Sequence, residues 1–222
     1  MTDMNKLLGQ LLGSGAAGGF AGGLAGGLAG NLLSSKSGRK MGKKALKMGG
    51  IAAVGALAYT AYRRYSANAT AGGQAMGSQS NKPELSPAPA GSAFLPEKED
   101  FAAQEALGLT LVRAMIAAAR SDGRLDAQES QAIFQRIESL GLDPESQSLL
   151  IAEMGRPVDV DAIINSAHSP EVAAEIYIAS LLAIDVDTTA EHSYLAMLAA
   201  RLNIPPDLAE ELRNQVEAQA GS

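Results

Sequence analysis

Two kinds of hydrophobic pattern divide this chain. From Asp100 onward, apolar side chains recur at intervals of three or four residues or their multiples, which is the period of amphipathic helices. Phe101, Leu107, Leu111, Met115 and Ala118 make the first stripe, and Gly123 ends it. Asp126 with Glu129 three residues on reads as a capping box, opening a helix that carries Ile133, Phe134, Ile137 and Leu140 and stops at Gly141. Asp143-Pro144-Glu145 supplies an N-cap, a first-position proline and a first-turn acid for a helix reaching about Met154. A short helix starts near Asp159, with Ile163 and Ile164 facing inward. Ser169-Pro170-Glu171 opens another, with Val172, Ile176, Leu181 and Ile184 on its buried side. Thr188 and Glu191 form a further capping box ahead of Tyr194, Leu195, Leu198 and Leu202, and Pro205-Pro206-Asp207 begins the last helix, with Leu208 and Leu212. Sustained alternation is missing throughout, so no sheet is expected. The expectation is an all-α fold, a compact bundle of about seven helices in roughly 120 residues, long enough for one core.

The two halves of this region echo one another. Placing Glu129 on Glu191 also brings Ile133 onto Leu195, Leu140 onto Leu202, Gly141 onto Asn203 and Pro144 onto Pro206. Two related helical hairpins packed together explain the coincidence of starts, buried positions and turns.

Upstream the pattern is different. Residues 7–35 carry no charge, and within them Gly18, Gly22, Gly26 and Gly30 form a ladder at spacing four, flanked by Gly19, Gly23 and Gly27. A helix so rich in glycine is poor in water, at roughly 1 kcal/mol per Gly relative to Ala. In lipid the backbone must satisfy itself and small residues allow close helix approach. The ladder therefore predicts a membrane helix that self-associates. A second uncharged run, residues 48–62, holds Ile51, Val54, Leu57, Tyr59 and Tyr62. It is short for a ~30 Å hydrocarbon core, but flanking Lys44, Lys47, Arg63 and Arg64 can snorkel, and the tyrosines suit an interface. Between the runs, Lys36, Arg39, Lys40, Lys43, Lys44 and Lys47 make a basic loop suited to anionic lipid and, by the positive-inside rule, to the cytoplasmic face. Residues 66–97 are dominated by small polar residues and proline and read as a disordered linker. The expected organisation is a membrane-associated segment over 1–65 with its basic loop at 36–47, a tether over 66–97, and an acidic helical domain over 98–222. The number of spans, and hence the side on which that domain lies, stays open.

Charge sharpens this division. The formal net charge of -6 combines nine basic residues and one acid in residues 1–65 with nine basic residues and 23 acids in the remainder. An acidic body is a poor nucleic-acid binder, because phosphate contacts require clustered Lys and Arg. Cysteine is absent, which excludes disulfides, thiolate metal sites and cysteine nucleophiles. No Ser-His-Asp set, nucleophile elbow or Walker motif is present, and His168 and His192 stand outside any ligand spacing. No enzymatic activity is expected.

The stretches AAARSDGRLDAQESQAIF at 117–134 and AIDVDTTAEHSYLAMLAARLNIPPDL at 183–208 resemble the two halves of the tellurite-resistance TerB-like helical domain. The whole arrangement of glycine-rich head, basic loop, second apolar run and acidic domain resembles a YebE-like family of proteobacterial inner-membrane proteins. The resemblance implies an all-α bundle at the bacterial inner membrane, a link to tellurite-type chemical stress, and no established reaction. It further implies metal binding by Asp122, Asp126 and Glu129 in the first half and Asp185, Asp187 and Glu191 in the second. Carboxylates of this kind suit a divalent cation such as Ca²⁺ or Mg²⁺, although the spacing is not that of an EF-hand. The second motif is one residue shorter, with Thr188 where Asp126 stands in the first. Asp126 with Glu129 and Thr188 with Glu191 are already accounted for as capping boxes, and Asp122-Gly123 as a turn. The reading is a non-enzymatic, membrane-tethered interaction module with a homo-oligomeric glycine ladder and an unidentified protein partner. The alternative is a divalent metal-ion binding protein.

Overall fold

A computed structural model of the protein describes Met4, residues 7–9, 50–70, 85–121, 144–184, 186 and 188–220. The fold is all-α. The described residues contain helices α1 (Gly50–Thr70), α2 (Phe101–Ala119), α3 (Pro144–Gly155), α4 (Val160–Asn165), α5 (Pro170–Ala183), α6 (Thr189–Arg201) and α7 (Pro206–Ala220). Extended pairing among them is limited to one isolated bridge between Ser92 and Leu95. The helix expected over 126–140 lies outside the described residues.

Helix boundaries follow local chemistry. The Asp100 carboxylate accepts from the Ala103 amide at 3.0 Å, and Asp159 accepts from Ala162 at 2.8 Å. Ser169 caps α5 through the Val172 amide, with Pro170 at the first helical position. Thr188 and Glu191 form the expected reciprocal capping box at the start of α6. That helix ends where Asn203 takes a left-handed φ of 55°. The Ile204 amide then reaches back to the Ala199 carbonyl at 2.9 Å, and the Asn203 amide to Ala200 at 3.2 Å. This is a Schellman closure with asparagine in the glycine position.

Helix α5 is the axis of the bundle. Every residue from Ala173 to Ala183 is buried, as expected for a helix enclosed on all sides. Helix α2 lies along it through Leu111, Val112, Ala114, Met115 and Ile116, while α6 and α7 contribute Leu195, Leu198, Leu208 and Leu212. Phe101 departs from the expected stripe and is 75% exposed. Burial along α2 begins at Gly108, so its first two turns project beyond the neighbouring helices.

The second apolar run forms the larger part of α1 and packs inside this bundle, against α5 and α7. Ile51, Val54, Ala56, Ala58 and Ala61 are fully or almost fully enclosed. The segment after it is also built in. The Ser86 amide donates to Thr60 Oγ1 at 3.1 Å, and Thr60 in turn donates to the Ala56 carbonyl at 2.7 Å. Gly91, at a φ of +72°, makes a turn that brings Phe94 edge-on to the rings of Tyr59 and Tyr62, both at 5.6 Å. Packing thus crosses the boundaries expected at residues 65 and 98. Residues 85–97 are a strap over α1, and the run expected at a membrane is a core helix here. The reason is that α1 carries large apolar residues on two faces, which α5 and α7 cover together. Residues 71–84, the rest of the expected linker, lie outside the described residues.

One ion network fastens α3 to α2. Glu153 is buried and receives Arg113 Nε at 2.7 Å, Arg113 Nη2 at 3.2 Å and Arg156 Nη1 at 2.8 Å. Arg120 adds hydrogen bonds to the carbonyls of Met154 and Arg156, neutralising the end of α3. Hydrogen bonding to Arg113 holds the Glu153 carboxyl below its ordinary value of 4.5, despite partial desolvation. A depressed carboxylate stabilises the fold above its unfolded-state value, and that contribution disappears as pH falls through the folded one. Both arginines are partly solvated, so screening limits the effect. Glu153→Gln is expected to cost about 1–2 kcal/mol at neutral pH, and the difference from wild type is expected to shrink as pH falls through the lowered Glu153 value. Urea unfolding of both proteins between pH 3 and 7 measures it; a pH-independent difference would sink the assignment.

Candidate functional site

The acidic motifs are reached only in part. Asp122, Asp126, Glu129, Asp185 and Asp187 lie outside the described residues. Glu191 is described, and its carboxylate is engaged locally: Oε2 accepts from the Thr188 amide at 3.0 Å and from the Thr188 hydroxyl at 2.9 Å. Among the described residues, no group of three or more His, Asp or Glu is placed to hold a metal ion. His192 Nδ1 lies 2.8 Å from the Thr188 carbonyl, within the same turn.

The glycine ladder (Gly18, Gly22, Gly26, Gly30) and the basic residues Lys36, Arg39, Lys40, Lys43, Lys44 and Lys47 also fall outside the described residues. The structure does place the residues on either side of them. Met4, Leu7 and Leu8 are buried in the core. A Cβ added to Gly50 would overlap Leu8 and the Gly9 backbone, and one added to Gly108 would meet Met4 Cβ at 2.6 Å and Ile51 Cδ1 at 3.3 Å. Gly9 and Gly50 are therefore in contact at the foot of α1. Close approach through glycine, which the sequence suggested for a membrane helix, is used here inside the bundle.

A second feature lies at the centre of the bundle. Glu175, on α5, has no exposed surface, and neither carboxyl oxygen has a hydrogen-bond partner. Burial raises its pKa well above the ordinary carboxylate value, and the charge of Glu171 adds to the effect. Both causes favour the proton-bearing form over the carboxylate, the usual tendency of an unpaired carboxyl in an apolar interior. It faces α1 where that helix has Gly55. A Cβ at Gly55 would lie 3.1 Å from Glu175 Oε1 and would overlap the Phe94 carbonyl oxygen. The side-chain amide of Gln215, on α7, is likewise enclosed and unpartnered. Burial pushes the Tyr194 phenol up to about 12, opposed in part by the neighbouring Ser180 hydroxyl. Tyr177 and Tyr194 are both buried packing residues, Tyr194 within the stripe expected from the sequence. Sequence reading passed over Glu175. Its signal was a lone acid within the otherwise apolar run from Val172 to Ile184.

By length and composition Phe101–Ala119 is the one described helix able to cross a membrane. Most of its residues from Gly108 onward are buried against the bundle, and core helices pass the same test.

A family model described as protein of unknown function (DUF533) matches residues 18–216. The chain belongs to this family. The match begins at the first glycine of the ladder and ends in α7, so the family unit includes the glycine-rich run, the basic loop and the helical bundle together. The chain is also similar to an "Uncharacterized protein in ampR 5'region" of Yersinia enterocolitica, 30% identical over 112 residues, which is 50% of this chain and 81% of that protein. No solved structure matches the chain.

Proposed function

We propose that this member of the family is a non-enzymatic, membrane-associated helical module of the bacterial inner membrane. Its glycine-rich arm holds an acidic bundle against an anionic leaflet, where the bundle engages a protein partner. The observation that carries the reading is the contact between Gly9 and Gly50, the two residues flanking an arm that holds an uncharged run and six basic residues. The arm leaves and rejoins the bundle at one point, so both of its ends lie on the same side of the membrane. Phosphate headgroups attract the basic residues at about 1 kcal/mol each near an anionic surface. The glycine ladder offers a surface for a second copy of the arm. Resemblance to TerB-like sequences supports a role in envelope or chemical stress.

The absence of cysteine makes the topology testable. Thr2→Cys and Ser66→Cys, introduced singly in cells, are expected to react with an impermeant maleimide from the same side of the inner membrane. Labelling from opposite sides would overturn the arm geometry. Recovery of the full chain entirely in the soluble fraction, with no binding to phosphatidylglycerol vesicles, would overturn membrane association itself.

A further inference from the structure

We propose that Glu175 is a proton-operated latch: as a neutral acid it donates a hydrogen bond to the Phe94 carbonyl, pinning the strap of residues 85–97 across Gly55 onto the axis of the bundle. Three observations meet at this point. The Glu175 carboxyl is enclosed and no donor reaches either oxygen, which is costly for a carboxylate and leaves a protonated group in need of an acceptor. Gly55 leaves open the space between α1 and α5, and both Glu175 Oε1 and the Phe94 carbonyl border the point where its Cβ would stand. The Phe94 carbonyl belongs to the turn that the Ser92 hydroxyl and the Leu95 amide close, with Phe94 wedged against Tyr59 and Tyr62.

The charged surroundings favour a proton on this group. Glu171, one turn earlier on α5, is the charge acting on Glu175. Helix α1 carries no charge from Gly50 to Tyr62, and its Arg64 pairs with Glu211 of α7 at 3.5 Å. On α7, Arg213 acts on Tyr177. On α2, Arg113 is committed to Glu153, and on α6 Glu191 is committed to its capping box. On ionisation the proton passes to water. The carboxylate then faces a carbonyl oxygen in an apolar interior, with no cation to pair with, and the strap is released so that water can enter.

The sign follows from linkage. The folded, latched state binds a proton that the opened state gives up, so latching is strongest below the ordinary carboxylate value and weakens as pH rises towards the raised folded value. In wild type, strap opening read by hydrogen exchange at the Leu95 amide, corrected for the intrinsic rate, is expected to grow about tenfold per pH unit within that window. The experiment uses the full chain in neutral detergent micelles between pH 5.5 and 8.5. Glu175→Gln, whose amide also donates but does not titrate, is expected to keep the Leu95 amide protected at every pH. Equal pH dependence in the two proteins would overturn the latch. If Glu175→Gln does not fold, carbon-13 NMR of the wild-type Glu175 carboxyl at pH 7 decides: the chemical shift of a neutral acid is expected, and that of a carboxylate overturns the proposal.

Discussion

A fragment of residues 98–222 is expected not to fold cooperatively, whereas the full chain does. The shorter fragment is the domain that composition and proline content mark out, and it lacks α1 and the strap. Ile51, Val54 and Leu57 of α1 are 0%, 0% and 4% exposed, and Phe94 of the strap is 7% exposed. Side chains of this kind contribute about 1.5–3 kcal/mol each when buried. Four of them come to about 6–12 kcal/mol, the same size as the ~5–15 kcal/mol by which a domain is stable. Truncation also uncovers the flanks of α5 and α7 against which α1 packs. Circular dichroism melting and amide dispersion in NMR spectra distinguish the outcomes. A sharp melt for residues 98–222, comparable to that of the full chain, would show that α1 is dispensable and return it to the membrane arm.

Gly55→Leu is expected to destabilise the protein by about 3 kcal/mol or more. In an exposed helix, replacing glycine gains about 1 kcal/mol from propensity alone. At Gly55 that gain is outweighed, because the first added carbon already meets the backbone carbonyl of Phe94 and the carboxyl of Glu175. Neither neighbour gives way cheaply: one is main chain in a closed turn, the other is a fully buried side chain of the central helix. Overpacking of this kind costs typically 1–3 kcal/mol, and the larger side chain adds separation of α1 from α5. The change is read as a fall in the urea midpoint with an unchanged slope. Gly155→Ala provides the contrast, since nothing lies within 4 Å of a Cβ at that position. Equal stability of Gly55→Leu and wild type would mean that the strap does not press on Gly55, and the latch would lose its geometry as well.

Much of the helical part was legible in the sequence, and for identifiable reasons. Ser169-Pro170 and Thr188 with Glu191 are local devices whose effect depends on residues within one turn, and each stands where its motif predicts. The stripes on α6 and α7 were readable because those helices bury one face. Phe101 misled because periodicity cannot say how far a helix extends beyond its neighbours. Glu175 was missed because its importance comes from Gly55 and Phe94, more than 75 residues away in the chain. Of the acidic motifs, Glu191 is the residue described, and its Oε2 closes the capping box with Thr188.

The sequence by itself determined that the chain is helical, where most helices in its second half begin and end, and that a basic, glycine-rich head precedes an acidic body. These properties are set by side chains acting on their own backbone or by charge counted along the chain. Only the tertiary structure decided that the second apolar run belongs to the core, that residues 85–97 are a strap, and that Gly9 and Gly50 meet. An apolar helix is equally satisfied by lipid and by a groove between other helices. What selects the groove is the matching shape of α5 and α7, which forms only when distant segments pack.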